Sequence, residues 1–357
     1  PTEPRLLRAS ETVRATFPAY FRLALSRTGQ WARDMDLPSN PRYLVNTIVQ
    51  QVQADEEAKQ RLLELESAPD QVAHLADMLD DLLGLLDRSD ADLRFVISCD
   101  GHYNSLVKQQ PDGMRIANRM IHDLCRQAPD RLFGSCIVNP NFLEQSLEMM
   151  DVAFGEWGFV QLGEMLQYML DFRMDSDATE QVVRKAVDYD VPVQVHLGTY
   201  WGPRAGSSVN GMDQMEDLLG IARRVPEAKY ILAHAIGCAE TKRFIPWADW
   251  FLDVLAGVFD SYPDNFWIEI RDFHCKALPR AVAEVPHNRL LSGTDWTTRV
   301  GPPFQSYGTM FGVAEKDNPF PPGVESFVGF LRQAGADPET IERIGHRNAT
   351  ELYGLSL

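Results

Sequence analysis

A chain of 357 residues with 45% hydrophobic and 10% aromatic content can bury a large core, and α/β barrels of this length fold as one unit. Its formal net charge of −17 opposes binding to nucleic-acid backbones or anionic membrane surfaces, although a local arginine can still hold a small anion. No stretch approaches the roughly eighteen uncharged apolar residues of a membrane helix. The five cysteines, Cys99, Cys125, Cys136, Cys238 and Cys275, are odd in number and lack CxxC pairing. Together with an opening that does not read as a secretory leader, they predict reduced thiols in a cytoplasmic protein.

Residues 1–90 read as helical, through "YLVNTIVQQVQADEEAKQRLLELE" and "DQVAHLADMLDDLLGLLDRS". They are expected to form a helical insertion or lid packed on the remainder, within one structural domain overall. Their apolar faces exceed what a lid requires, which suggests a homodimer.

From residue 91 to 357 short apolar runs alternate with amphipathic helical stretches, the rhythm of repeated βα units. The predicted strands are 94–99, 132–138, 158–163, 191–198, 228–235, 266–270 and 289–295. Between them lie helices such as "DGMRIANRMIHDLCRQA", "DATEQVVRKAVDYD" and "GMDQMEDLLGIARRV", each with one apolar face. The fold class is α/β, a distorted (β/α)8 barrel in which the first strand is expected to precede Pro1 or to be filled by a weak early run such as "FPAYFRLAL".

Parallel barrels carry their chemistry at the carboxyl ends of strands. Four predicted ends carry suitable groups: Glu164 after "GFVQLG", His196 in "VQVHLG", His234 in "YILAHAIG" and Asp295 in "LLSGTDW". Imidazoles and carboxylates are the ligands that borderline divalent ions accept. Glu164 has two readings, one polarising metal-bound water and the other capping the next helix. No Gly-rich phosphate loop follows a strand and no GxSxG elbow occurs, which excludes the usual nucleotide-binding and serine-hydrolase signatures.

"PVQVHLG", "YILAHAIG", "LLSGTDW" and the closing "IERIGHRNATELYGL" resemble the amidohydrolase superfamily, in the branch of metal-dependent hydrolases and decarboxylases related to aminocarboxymuconate semialdehyde decarboxylase. The resemblance covers about residues 91–357. It implies that His196 binds a divalent metal, zinc first with manganese as an alternative. It further implies that His234 moves protons near the metal, and that Asp295 binds the metal or its water. Asn348 through Leu355 would form a structural closing helix. The family's first strand supplies a further ligand pair of the His-x-His type, and residues 1–90 contain none.

Candidate substrate contacts follow from position. Tyr200 and Trp201 lie beyond His196, Trp296 follows Asp295, His102 follows the first predicted strand, and Phe159 and Tyr168 lie near other strand ends. Several aromatics around one mouth favour a flat ligand. Arg271 and His274 in "EIRDFHC", or Arg173 in "LDFRMDSD", could pair with a substrate carboxylate, since guanidinium matches that group with two hydrogen bonds. A surface salt bridge is the alternative role for each arginine.

The leading expectation is a metal-dependent hydrolase cleaving a C–N or C–O bond of a small aromatic or carboxylated compound. The alternatives are a nonoxidative decarboxylase of an aromatic or enoic acid, favoured by a carboxylate-binding arginine near the metal, and a non-catalytic ligand-binding barrel.

Overall fold

The computed structural model describes residues 94–98, 107–108, 111–197, 211–236, 247–261, 265–271, 275–293 and 324–356. All of them belong to one compact unit. The expected helices of 1–90, and the candidates His102, Tyr200, Trp201, His274, Asp295 and Trp296, lie outside the described residues.

Among the described residues seven parallel strands form one sheet in sequential order: β1 (Phe95–Ile97), β2 (Leu132–Cys136), β3 (Gln161–Met165), β4 (Val193–Val195), β5 (Tyr230–Ile236), β6 (Phe266–Ile270) and β7 (Leu290–Ser292). Each lies on or across its predicted run. Sequential parallel order demands a crossover between every pair of strands, and helices occupy them. These are α1 (Pro111–Cys125), α2 (Leu143–Met150), the single turn α3 (Gln167–Leu170), α4 (Asp177–Asp188), α5 (Gly211–Arg224), α6 (Trp247–Ser261) and α7 (Leu278–Glu284). After β7 come α8 (Val324–Gln333), α9 (Pro338–Glu342) and α10 (Asn348–Tyr353). The arrangement is that of a distorted (β/α)8 barrel.

The periodicities explain the layers. In α4, Thr179, Val182, Val183 and Ala186 fall at helical spacing and are buried, while the Ser176 side chain caps the first turn by accepting from the Thr179 N–H at 3.2 Å. In α1 the buried Asn118 clasps β2: its amide donates to Ile137 O at 2.7 Å and accepts from Ile137 N at 2.8 Å. Strand β5 is buried along its whole length, as expected of a parallel strand covered on both faces.

The terminal helix α10 is tied to the sheet by Asn348, whose amide donates to His287 O and Leu290 O, both at 2.7 Å. Leu352 then joins Ile231, Trp267 and Leu291 in a buried apolar cluster, with Ala349 and Tyr353 packed against it. The closing stretch is therefore a structural plug against β5, β6 and β7.

One register differs from expectation. Strand β3 runs past the predicted end at residue 163, so Glu164 lies inside the strand rather than after it. The cause is an irregularity in the pairing of β3 with β4 between Leu162 and Met165, which apolar patterning does not reveal. The helix-capping reading of Glu164 fails with it, because α3 begins after Leu166 and has no side-chain cap.

Candidate metal centre

Three adjacent strands bring Glu164, His196 and His234 together. Glu164 projects from β3, His196 follows the last residue of β4, and His234 lies within β5. His196 is held to the neighbouring strand by its backbone N–H, which donates to Met165 O at 3.2 Å. His196 Nδ1 stands 3.1 Å from Glu164 Oε2 and 3.0 Å from His234 Nε2, and His234 Nε2 is 3.7 Å from Glu164 Oε1. The imidazole planes meet nearly edge to face, at 80°, so their nitrogens converge.

This donor set fits a divalent ion. One oxygen and two nitrogens lie within 4.8 Å of one another. Metal–donor bonds of about 2.0–2.2 Å at angles between octahedral and tetrahedral put neighbouring donors about 3.0–3.5 Å apart. The two separations from His196 Nδ1 lie in that range, and His234 Nε2 stands 3.7 Å from the other carboxylate oxygen, Oε1. The chemistry agrees, since imidazole with carboxylate is a usual set for zinc or manganese.

The surroundings are asymmetric. Glu164 and His196 keep 14% and 16% side-chain exposure, whereas His234 keeps 3%. Burial, reinforced by the charge of Arg271, pushes the His234 imidazole down to about 3. The ring is therefore neutral at ordinary pH, with a lone pair to offer. Arg271 follows β6, is buried, and is anchored by its N–H to Ile236 O at 3.0 Å.

Tyr168, in α3, meets the far side of His196: its hydroxyl is 3.0 Å from Nε2, with the rings 5.1 Å apart. A contact of this kind fixes the orientation of a ligand imidazole. The sequence marked Tyr168 only as an aromatic near a strand end; its hydroxyl role depends on the turn of α3.

Of the expected site residues, Glu164, His196, His234 and Arg271 are thus brought to one region. Arg173 is differently engaged: its guanidinium pairs with the buried Asp217 and, at 3.3 Å, with Asp175. That is the salt-bridge role named for it as an alternative. Phe159, expected near the rim, is buried and tilted against Trp157.

A sequence profile described as amidohydrolase matches residues 74–355, reaching back into the stretch expected to be a lid. No curated protein matches the chain in sequence. Among solved structures, a 2,6-dihydroxybenzoate decarboxylase from Rhizobium is similar, at 17% identity over 77% of this chain and 88% of that one, with a TM-score of 0.51. A manganese-bound 5-carboxyvanillate decarboxylase from Novosphingobium aromaticivorans gives 15% identity over 87% and 92%, with a TM-score of 0.53. A 4-oxalomesaconate hydratase from Rhodopseudomonas palustris gives 11% identity over 99% and 92%, with a TM-score of 0.54. These likenesses agree on the barrel, and the profile spans nearly all of it: the chain is an enzyme belonging to the amidohydrolase family.

Proposed function

We propose that the chain is a metal-dependent, nonoxidative decarboxylase of a small hydroxylated aromatic acid. The observation that carries this reading is the buried guanidinium of Arg271 beside the neutral His234. A guanidinium there supports this reading, because its planar fork matches a substrate carboxylate. The similar structures titled as benzoate and vanillate decarboxylases, one complexed with manganese, support the same direction.

In this reading Glu164, His196 and His234 hold the ion, with Asp295 as a further donor or proton holder. The ion is manganese or zinc. When bound, it polarises the substrate's phenolic and carboxylate oxygens. Arg271 orients the carboxylate through its planar fork. In this reading His234 is given a ligand's role, which its neutral imidazole with a lone pair to offer supports, rather than the proton-moving role that the resemblance implies. Asp295 supplies the proton instead: the ring carbon takes it, the C–C bond electrons remain on the ring, and carbon dioxide leaves uncharged. Tyr200, Trp201 and Trp296 are assigned as contacts for the aromatic ring, with His102 and His274 as further polar contacts.

Manganese-loaded protein is incubated with a panel of hydroxybenzoates, 2,6-dihydroxybenzoate first, and phenol and carbon dioxide are quantified. Equal amounts of both, lost in Arg271→Met, are expected. Turnover of amides or lactones without carbon dioxide release would move the chain to the hydrolytic reading.

A further inference from the structure

A chain of buried and half-buried polar side chains lies beside the candidate metal centre and has no part in the chemistry described above. The Tyr353 hydroxyl donates to Gln161 Oε1 at 2.5 Å, Gln161 Nε2 donates to Gln194 Oε1 at 2.7 Å, and Gln194 Nε2 donates to Glu269 Oε2 at 2.9 Å. Each donor points toward Glu269. A branch leaves at Gln161, whose Nε2 also donates to Ser135 Oγ at 3.1 Å. Ser135 in turn donates to the carbonyl of Gly163 at 2.6 Å, immediately before Glu164. The carboxylate at the end of this chain also accepts the backbone N–H of His234 at 3.1 Å.

That backbone contact falls on an unusual residue. His234 has a φ of +37°, in the region that non-glycine residues seldom occupy. It sits in the middle of β5, where the pairing with β6 shifts between Leu232 and Ile236. Such a conformation persists where its surroundings over-determine it. Gly293, immediately after β7, leaves room for the carboxylate: a Cβ there would stand 1.6 Å from Glu269 Oε1.

We propose that Glu269 is the positioning residue of the metal centre. It holds the His234 backbone in its left-handed conformation, so that Nε2 meets His196 Nδ1 and Glu164, while Gln194, Gln161 and Tyr353 hold Glu269. The affinity arm of the test rests on the metal-centre reading; the spectroscopic arm does not.

Two variants separate acceptor from volume: Glu269→Gln keeps an oxygen acceptor, and Glu269→Met fills similar space without one. Mn2+ is titrated into the metal-free wild type and both variants, and imidazole 15N–1H spectra of the metal-free proteins are recorded, with His234 assigned through His234→Asn. Glu269→Met is expected to weaken Mn2+ binding about 10–100-fold and to shift the His234 resonances, with Glu269→Gln recovering most of both. Wild-type affinity in Glu269→Met overturns the proposal, as does a folded Glu269→Gln that binds as weakly as the methionine variant. If the wild type takes up no Mn2+, the metal-centre reading fails, and unmoved His234 resonances in Glu269→Met then overturn the role of Glu269 separately. Should Glu269→Met not fold, Gly293→Ala displaces the same carboxylate sterically: the same loss is expected, and wild-type binding refutes it.

Discussion

Replacing Gly293 with alanine adds one methyl group to the molecule and should cost several kcal/mol. The new Cβ would lie 1.6 Å from Glu269 Oε1, 2.3 Å from its Cδ and 2.6 Å from its Cγ, distances no non-bonded pair tolerates, so the carboxylate must leave. Departure breaks its bonds to the His234 N–H and to Gln194. Hydrogen bonds to a charged group contribute about 1.5–3 kcal/mol each, which gives about 3–6 kcal/mol. With an unfolding entropy of about 2.1 cal/mol/K per residue, 357 residues give about 0.75 kcal/mol/K, so Tm should fall by about 4–8 °C. The decisive assay is a double-mutant cycle by denaturant unfolding. In a Glu269→Ala background the obstructing atoms are gone, and the added methyl should cost less than about 1 kcal/mol, within the range of ordinary substitutions. An equal penalty in both backgrounds, or no penalty in the wild type, refutes the steric account.

Tyr168→Phe should lower Mn2+ affinity about tenfold by freeing the His196 ring, with little change in Tm, as read by calorimetric titration. Metal-free protein should lose stability as pH falls from about 6.5 towards about 3, by up to about 1.4 kcal/mol per pH unit. Over that range the unfolded chain binds a proton that the folded His234 refuses. Urea unfolding across that window should show the slope reduced by one proton in His234→Asn. Asn348→Ala removes two donated bonds and should destabilise by about 1–3 kcal/mol through the carbonyls of His287 and Leu290, measurable by denaturant midpoint.

The strands were legible because runs such as "YILAHAI" are buried on both faces and leave no polar alternation to confuse them. His196 and His234 were legible as polar groups where apolar runs stop or falter. Glu164 lies beside His196 and His234 but inside β3 rather than after it, since an irregular strand pairing has no compositional mark. Glu269 passed unremarked, although Gln161, Gln194 and Glu269 share a signal: each is a polar side chain inside a short strand whose neighbours are apolar and buried. A polar group set among buried neighbours needs a partner, so three in β3, β4 and β6 of one sheet are grounds to expect one another. Tyr353 could not have been joined to them from sequence, because nothing local in "ATELYGL" says which way the phenol faces.

The bond from Tyr353 to Gln161 spans 192 positions of the chain. At ribosomal speeds of roughly 5–20 residues per second, about 10–40 seconds separate the synthesis of its two ends. Throughout that interval Glu164, His196 and His234 all come to exist, while the amide that steadies them lacks its last donor. On the role proposed for Glu269, the network that would position these residues is therefore completed only once the closing helix has been made.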